Sequence, residues 1–514
     1  MKNICKLLTL FLVVFLGTGC DKGFEEININ PIQPTKIDPA FMFTNVEVSS
    51  VCSGSNSVSY PATIIQQHQT PFLGVLAAAN VNQNSDATAS GTWSTYYGVV
   101  KSLVDIIANT NSDAGRQNLY NMTRIWKAFC FQILTDSYGD VPYTEAGLGY
   151  LTNNFYPKYD TQESIYLNML TELESAVSAL DPGGKIETAD LFYAGNIDKW
   201  KKLGNSIMLR VAMRLSKKNP QKAQEYAAIA FNGGVFQSNA DNCIMKFTTS
   251  IGNPIYGYFT GSEQANYYLN KTFVDFLKNT NDPRLQVISV VYSNPSLAWN
   301  DPAQVADDLP SHQIGMPIGY DDQTIVNAPD YPGKAGSGWK YSQVKRNVLV
   351  KQDASCILIS NAQTQLLLAE ARHLGWITTG TAESYYKAGI RAHMEQLGTI
   401  DAKAIIDPAL VDAYIASATL APGNELNLIG SQYWVACFLN GHEAWSNWRR
   451  TGYPVLPVNT YPTRDIKTDF IYRLTYPSSE ANINTKNFTE AVVRQWGGTL
   501  TNNILDNKVW WDVD

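Results

Sequence analysis

The stretch NAQTQLLLAEARHLGWITTGTAESYYKAGIRAHMEQL, residues 361–397, decides the fold class of this chain. It contains two helical patterns, 361–374 and 382–397, which are joined by a short turn around Gly375 and Trp376. Helices that pair through short turns are typical of helical-repeat folds. We therefore predict paired helices, although the sequence shows no exact repeat period.

Similar patterns occur on both sides of this pair. One stripe, within 115–136, consists of Met122, Trp126, Phe129 and Ile133. Asp160 and Glu163 predict a capping box at the start of a helix that runs to Leu180. Further helices are predicted at 198–217, 222–232, 271–279, 408–417 and 430–440. The chain is therefore expected to be mainly helical.

Two regions differ from this helical background. Residues 240–355 are rich in Gly, Pro, Asn, Asp, Ser and Tyr and contain one clear helical pattern, and residues 450–514 are again rich in loops. Long loops in a large helical protein usually carry function or pack as caps. No stretch is poor enough in apolar residues to separate domains. We expect a single domain over residues 41–514, with long loops around 240–355 and 450–514.

Composition narrows the classes of function. The chain has 514 residues, of which 45% are hydrophobic, and this is enough for a large core. Its formal net charge of -7 argues against nucleic-acid binding, which needs a basic face. The cysteines are widely spaced and form neither a disulfide framework nor a CxxC metal motif. Cys130 and Cys437 lie in apolar helical patterns, so we expect them in the core.

Aromatic residues in the loops are the main indication of a binding surface. The chain has 12 Trp, 28 Tyr and 19 Phe, and Tyr and Trp in loops often serve binding. The predicted ligand-binding residues are Trp299, Tyr320, Tyr331, Trp339 and Tyr341, with Tyr256, Tyr258 and Phe259 as a second group. The first group is favoured because its rings lie among prolines and glycines rather than on a periodic face. A further group, Trp93, Tyr96 and Tyr97, is expected to pack in the core.

Short motifs for catalysis or metal binding are absent from the sequence. It has no Gly-x-Ser-x-Gly elbow, phosphate loop or dinucleotide fingerprint. Asp307–Asp308 and Asp321–Asp322 are paired carboxylates in predicted loops, where solvated surface, structural Ca²⁺ ligation and glycosidase chemistry are the alternatives. We predict no catalytic residue, no metal site and no cofactor, and a structural Ca²⁺ is the one ion that these loops could hold.

The N-terminus predicts export and lipid anchoring. Lys2 and Lys6 precede the apolar run 7–16, and small residues precede Cys20, as in bacterial lipoprotein signal peptides. We predict a signal peptide over residues 1–19, lipidation at Cys20 and a tether over residues 20–40. More than one acyl chain would hold the protein stably at a membrane. The alternative is an ordinary signal peptide whose cleavage leaves a cysteine nearby.

Several short motifs occur together along the chain. They are FEEININP (24–31), LTDSYGDVPY (134–143), YDTQESIY (159–166), Trp200 with NS (205–206) and RVAMR (210–214), DPR (282–284), LAEA (368–371), NGHEAW (440–445), RRTGYP (449–454) and YPSSE (476–480). In this combination the chain resembles the SusD/RagB-like family of nutrient-binding outer-membrane lipoproteins from Bacteroidetes. The resemblance runs nearly end to end, and the whole set of motifs makes it specific.

The resemblance implies a mainly α-helical fold with four diverged tetratricopeptide-like helix pairs, which form a right-handed superhelical scaffold beside a loop-rich, ligand-facing region. It also implies a surface-exposed outer-membrane lipoprotein that acts as the lid of a SusC-like TonB-dependent transporter. The motif residues look structural: Gly139 and Pro142 would shape a turn, and Arg449 and Arg450 would pair with buried acids. Because the ligand site varies within the family, no ligand residues are carried over.

The leading hypothesis is therefore a binding protein without catalytic activity. It would capture oligosaccharides for import by ring stacking and by hydrogen bonds from Asn, Asp and Gln side chains. One alternative is a peptide-binding lid of the same type of importer. A surface glycosidase is the third hypothesis, and it would require two essential carboxylates that face each other across a cleft.

Overall fold

The computed structural model describes residues 37–51, 57–58, 60–74, 79–261 and 263–513. The predicted signal peptide, Cys20 and most of the predicted tether lie outside the described residues. The protein is 52% helix and 6% strand, which confirms the predicted mainly helical fold.

The helices and strands are numbered in chain order. The α-helices are α1 (Pro39–Ser49), α2 (Pro61–Ile64), α3 (Asp86–Thr110), α4 (Gln117–Tyr138), α5 (Gly149–Thr152), α6 (Gln162–Ala179), α7 (Ile197–Arg214), α8 (Pro220–Gly233), α9 (Tyr256–Thr260), α10 (Lys271–Asn279), α11 (Arg284–Ile288), α12 (Asn361–His373), α13 (Ala382–Ile400), α14 (Pro408–Ser417), α15 (Glu425–Ala436), α16 (Gly441–Thr451), α17 (Ser478–Ile483) and α18 (Thr485–Trp496). The strands are β1 (His68–Gln69), β2 (Val141–Pro142), β3 (Tyr159–Asp160), β4 (Cys243–Met245), β5 (Tyr268–Leu269), β6 (Ser289–Tyr292), β7 (Ala306–Asp307), β8 (Lys334–Ala335), β9 (Gly338–Trp339), β10 (Gln343–Val344) and β11 (Cys356–Ile359).

Helices that follow each other in the chain pack against each other. The predicted pair is present as α12 and α13, and similar contacts join α3 to α4, α6 to α7 and α7 to α8. A capping box between Ser360 and Gln363 fixes the start of α12. Gly389 of α13 lets the two helices approach closely, because a Cβ there would lie 2.6 Å from Leu366 Cγ. The pair is therefore held by close backbone packing as well as by apolar burial.

The strands attach the long loops to this helical core. They form small antiparallel sheets in the orders β1–β5, β2–β3, β4–β11, β8–β9 and β10–β6–β7. None of these sheets has more than three strands, and each strand has only two to four residues, so the sheets are too small to form a layer of their own. Most of them lie within or beside the predicted loop region 240–355, where they give the loops fixed positions.

The capping box predicted for α6 is wrong. Thr161 is the N-cap residue, and its hydroxyl accepts a hydrogen bond from the Ser164 amide at 3.2 Å. Asp160 Oδ2 instead accepts hydrogen bonds from the amides of Tyr143 and Thr144, at 3.0 and 2.8 Å. Asp160 therefore closes the turn that follows β2, and the cap lies one residue further along the chain.

The limits predicted for the helix at 430–440 are also wrong. Helix α15 begins at Glu425 and ends at Ala436, and α16 begins at Gly441. Leu439 has a φ of 67°, in the left-handed region, so the chain turns between the two helices. Val435, Cys437 and Phe438 are all buried, so the apolar run of the sequence extends past the end of α15 toward this turn.

Charged residues from three sequence motifs meet in the core. Arg214 contacts Asp136 at 3.3 Å and Glu443 at 2.8 Å, and Arg210 lies 3.6 Å from Glu443. All four side chains are buried. Buried charges are tolerated when they are paired and hydrogen-bonded, so these motif residues act as a structural network that links α4, α7 and α16.

The expected pairing of the double arginine with buried acids is direct for Arg450, which forms a buried ion pair with Glu370 of α12. Arg449 donates hydrogen bonds to the Tyr472 carbonyl at 2.8 Å and to Ser446 Oγ at 3.1 Å. Its guanidinium carbon lies 3.9 Å from the centroid of the Trp445 ring, a stacked arrangement that suits arginine. The buried carboxylates of Asp136 and Asp512 also act on Arg449 electrostatically, and its pairing with a buried acid stays a prediction.

Candidate ligand-binding site

Strand β5 is the framework on which the loops of the middle region assemble. Leu269 donates a hydrogen bond to the Ser342 carbonyl and accepts one from the Met316 amide, both at 2.8 Å, and Lys271 donates to the Met316 carbonyl at 2.8 Å. Gly315 allows this close approach, because a Cβ there would lie 2.4 Å from Lys271 Cα. The segments around residues 315 and 342 are therefore both fixed to β5, and the Ser342 amide joins them by donating to the Ile314 carbonyl at 2.7 Å.

A second hydrophobic cluster, separate from the main core, forms on this framework, and we call it the aromatic cluster. Its buried members are Tyr268, Met316, Ile325, Ala328, Trp339 and Tyr341, and Phe72, Ile314, Tyr320 and Tyr331 pack against them half-buried. The centroid of the Trp339 ring lies 5.1 Å from that of Phe72 and 6.2 Å from that of Tyr268. These distances are typical of aromatic pairs. The loop region therefore has a small core of its own.

The structure brings four of the five favoured ligand residues into this cluster. Tyr320 and Tyr331 are half-buried and reach the surface. Trp339 and Tyr341 are each only 1% exposed, so in this conformation their rings offer no open face to a ligand. The assignment of these residues to a ligand site stays a prediction, and in it Tyr320 and Tyr331 are the accessible members.

Trp299 lies outside the aromatic cluster. Its side chain is 38% exposed, and it lies in a turn where the Asp301 amide donates to the Ala298 carbonyl. The buried Arg346 supports this loop by donating to the carbonyls of Leu297 and Pro295 at 3.1 and 3.0 Å. Trp299 is therefore an exposed ring on an anchored loop, away from the other four.

The second predicted group of rings is divided between core and surface. Phe259 is 2% exposed, and its ring packs 5.5 Å from both His68 and Tyr267 in the main core. Tyr258 is half-buried at 5.8 Å from Tyr267, and Tyr256 is half-buried at the start of α9. None of these three belongs to the aromatic cluster, and the buried position of Phe259 argues against direct ligand contact.

An open groove lies beside the aromatic cluster. It has a volume of about 360 Å³, which is within the usual range for small-molecule sites. Its walls are Asn270, Lys271, Thr272 and Asp275 at the start of α10, with Pro317, Ile318, Tyr320, Pro329 and Pro457 opposite. Lys271 and Asp275 form an ion pair at 2.7 Å, so their charges offset each other. The groove suits a neutral, polar molecule with apolar faces.

Residues 320–332 cover one side of the aromatic cluster, and we call this segment the flap. Gly319 and Gly333 border it with φ angles of 87° and 90°. Within the flap, Ile325 and Ala328 are buried, and the other side chains are half-buried or exposed. Tyr461 Oη donates a hydrogen bond to Asp321 Oδ2 at 2.9 Å. The flap is therefore held by the buried Ile325 and Ala328, by the half-buried rings of Tyr320 and Tyr331 and by one side-chain hydrogen bond.

Two buried polar atoms of the aromatic cluster lack partners. Trp339 Nε1 and the Tyr341 hydroxyl are buried and have no hydrogen-bond partner. Burial raises the pKa of Tyr341, and the nearby Tyr331, Tyr320 and Asp330 add to this effect. The Tyr341 hydroxyl therefore keeps its proton, and both groups remain hydrogen-bond donors. The sequence does not indicate these unpaired donors, because their burial depends on segments that are distant in the chain.

The paired loop carboxylates are engaged by neighbouring groups. Asp307 contacts His312 at 2.8 Å, Asp308 contacts Lys345 at 2.6 Å, and Asp321 accepts the hydrogen bond from Tyr461 described above. Among the described residues, no group of three or more His, Cys, Asp or Glu side chains is placed to hold a metal ion. Structural Ca²⁺ at these aspartates stays a prediction.

No helix in the described part of the chain is both long and apolar enough to cross a membrane. The predicted lipidation site at Cys20 lies outside that part.

Comparison with known proteins covers almost the whole chain. A SusD-like family model, described as starch-binding and associating with the outer membrane, matches residues 31–477. A solved chitin-binding protein is 32% identical, with a TM-score of 0.79 over 93% of this chain and 100% of that chain. A SusD-like protein from Bacteroidetes is 28% identical, with a TM-score of 0.81 over the same shares. A SusD homologue from Bacteroides fragilis has the same fold, with 24% identity and a TM-score of 0.76 over 92% of this chain and 100% of that chain. No curated protein matches the chain.

Proposed function

Because the chain belongs to the SusD-like family, we propose that it is a cell-surface lipoprotein that binds oligosaccharides without cleaving them. In this proposal it is the lid of a SusC-like TonB-dependent transporter in the outer membrane, and Cys20 carries the lipid anchor. The observation that supports the binding role is the half-buried Tyr320, which lines a groove whose charges are paired, with Tyr331 packed half-buried against the same aromatic cluster.

The groove and rings are suited to a saccharide. Tyr320 and Tyr331 would stack on the C–H faces of sugar rings, and the half-buried side chain of Thr272 lies within the same groove to bond hydroxyl groups. A relative named as chitin-binding and a family described as starch-binding both support a neutral glycan. The pairing of Lys271 with Asp275 agrees with such a ligand, because it leaves little net charge in the groove.

Calorimetric titration of the mature protein with chito-oligosaccharides, malto-oligosaccharides and mixed oligopeptides tests the binding role. We expect saccharide binding that Tyr320→Ala and Tyr331→Ala each weaken by about 1 kcal/mol, roughly fivefold in affinity. Tyr150→Ala is the matched control, because Tyr150 is a 79% exposed tyrosine outside the aromatic cluster. Binding of peptides alone would support the peptide alternative, and shortened saccharides after incubation would contradict a non-catalytic role.

The lid role has a separate test. Affinity purification of the tagged protein from membranes in mild detergent is expected to recover a large β-barrel transporter. Recovery of the lipoprotein alone, from membranes that contain such a transporter, would contradict this part of the proposal and leave the binding role unaffected.

A further inference from the structure

Two donors of the aromatic cluster are buried without a partner. Trp339 Nε1 and the Tyr341 hydroxyl have no hydrogen-bond partner, and each side chain is only 1% exposed. Asn270 Nδ2, beside β5 and on the wall of the groove, is also unpaired. Most buried polar groups in native proteins are paired, because an unpaired one costs stability. Two unpaired donors within one small cluster therefore require an explanation.

The covering flap is attached more weakly than the helical core. It contributes Ile325, Ala328, Tyr320 and Tyr331 to a cluster that is separate from the main core. Gly319 and Gly333, at its two ends, have positive φ angles, and a Cβ on Gly333 would meet no atom within 4 Å. Segments with few buried contacts open at a lower free-energy cost than the whole fold. The flap can therefore move while β5 and its partners stay in place.

From these two observations we infer that the flap covers a saccharide position whose floor is Trp339 and Tyr341. When the flap opens, Trp339 Nε1 and the Tyr341 hydroxyl donate hydrogen bonds to oxygen atoms of the sugar, and the two rings contact its apolar face. The ligand supplies the partners that the closed structure lacks. This inference rests on the proposed glycan-binding function and adds two buried donors and a moving cover to it.

Tyr341→Phe separates this role from a purely structural one. The substitution removes an unpaired buried hydroxyl, so we expect the urea midpoint of the variant to stay equal or to rise. The same substitution removes a donor to the ligand, so we expect affinity for the best-bound saccharide of the panel to fall by roughly three- to tenfold. Trp339→Phe keeps an aromatic ring but removes Nε1, and it should also weaken binding.

Tyr193→Phe is the matched control. Tyr193 is a buried tyrosine whose hydroxyl donates to the Asp241 carbonyl at 2.8 Å, so its loss should lower the urea midpoint and leave affinity unchanged. Hydrogen exchange on the full mature chain gives a second readout: amides of residues 320–333 should exchange faster than those of α12, and saturating saccharide should slow them.

The outcomes distinguish the inference from the proposed function. If wild-type protein binds saccharide and Tyr341→Phe and Trp339→Phe bind it equally well, the inference is overturned and the proposed function stands. Unchanged exchange in the flap on saccharide addition would likewise overturn it. If wild-type protein binds no saccharide of the panel, the proposed function fails and the inference fails with it.

Discussion

Glu47 on α1 is a fully buried carboxyl group that keeps its proton. Burial, with the neighbouring Asp190 carboxylate as the next cause, raises the pKa of Glu47 to about 11. Its Oε2 accepts a hydrogen bond from the Leu191 amide at 2.9 Å. Asp190 in turn accepts hydrogen bonds from Trp200 Nε1 at 2.7 Å and from the Gly195 amide at 2.8 Å. Glu47 therefore acts as a neutral polar residue in the folded protein.

This protonation makes stability depend on pH in a predictable direction. In the unfolded chain Glu47 has its ordinary pKa of 4.5, so above that pH unfolding releases its proton. The contribution of Glu47 to stability is therefore complete below pH 4.5 and is lost as the pH rises toward 11, by at most about 1.4 kcal/mol per pH unit. Glu47→Gln removes this dependence, so its stability relative to wild type should increase from pH 5 to pH 9.

Urea unfolding of Glu47→Gln and wild type at pH 5, 7 and 9 measures this effect. Glu225→Gln is a suitable control, because Glu225 is an exposed glutamate on α8 whose loss should shift stability by a similar small amount at each pH. A difference between Glu47→Gln and wild type that is constant across the three pH values would show that Glu47 is ionised in the folded protein.

For single residues, the sequence predicts which charged residues have a structural role better than it predicts the groups that they contact. Motif recognition assigns structural roles to the charged motif residues, and the network of Arg210, Arg214, Asp136 and Glu443 agrees with it. It does not predict that Arg449 stacks on Trp445, because partner choice depends on how α16 is rotated against the C-terminal loops. Such rotations are set by packing over the whole core.

At the scale of elements, strong periodic patterns predict helices well and weak ones poorly. The prediction of 271–279 agrees with α10 at both ends, because Asn270 caps its start. Helix α18 is not predicted, although Phe488, Ala491 and Val492 lie at helical spacing and are buried. The surrounding region is rich in proline and polar residues. In such a composition the periodic pattern of a single 12-residue helix is hard to recognise.

The short strands could not be predicted from the sequence for a physical reason. Strands such as β5 and β10 have two residues each, so they are too short to show the alternation that identifies a strand. They form because β5 is brought to β1, and β10 to β6, by loops whose ends are fixed elsewhere. The aromatic cluster depends on this arrangement, and so the sequence predicts which rings belong to the loop region but not which of them turn inward.

At the scale of the whole molecule, one hydrophobic core extends from α1 to the C-terminal loops. It includes Phe43 of α1, Leu366 of α12 and Trp511 near the C-terminus. The aromatic cluster is the smaller core beside it. This separation would let the small cluster open locally while the scaffold stays folded, because such opening leaves the large core buried.

Membrane attachment through Cys20 can be tested apart from fold and binding. In a Gram-negative host, wild-type protein should fractionate with membranes and incorporate labelled palmitate, because each buried methylene contributes about 0.8 kcal/mol and more than one chain is needed for stable anchoring. Cys20→Ala removes the attachment site, so the variant should appear in the soluble fraction without label. Its saccharide affinity should equal that of wild type, since the aromatic cluster is built from residues 72–341.

Cys356→Ala, at a half-buried cysteine of β11, is the control that should keep both label and membrane attachment. Labelled Cys20→Ala protein in the membrane fraction would place the anchor at another residue.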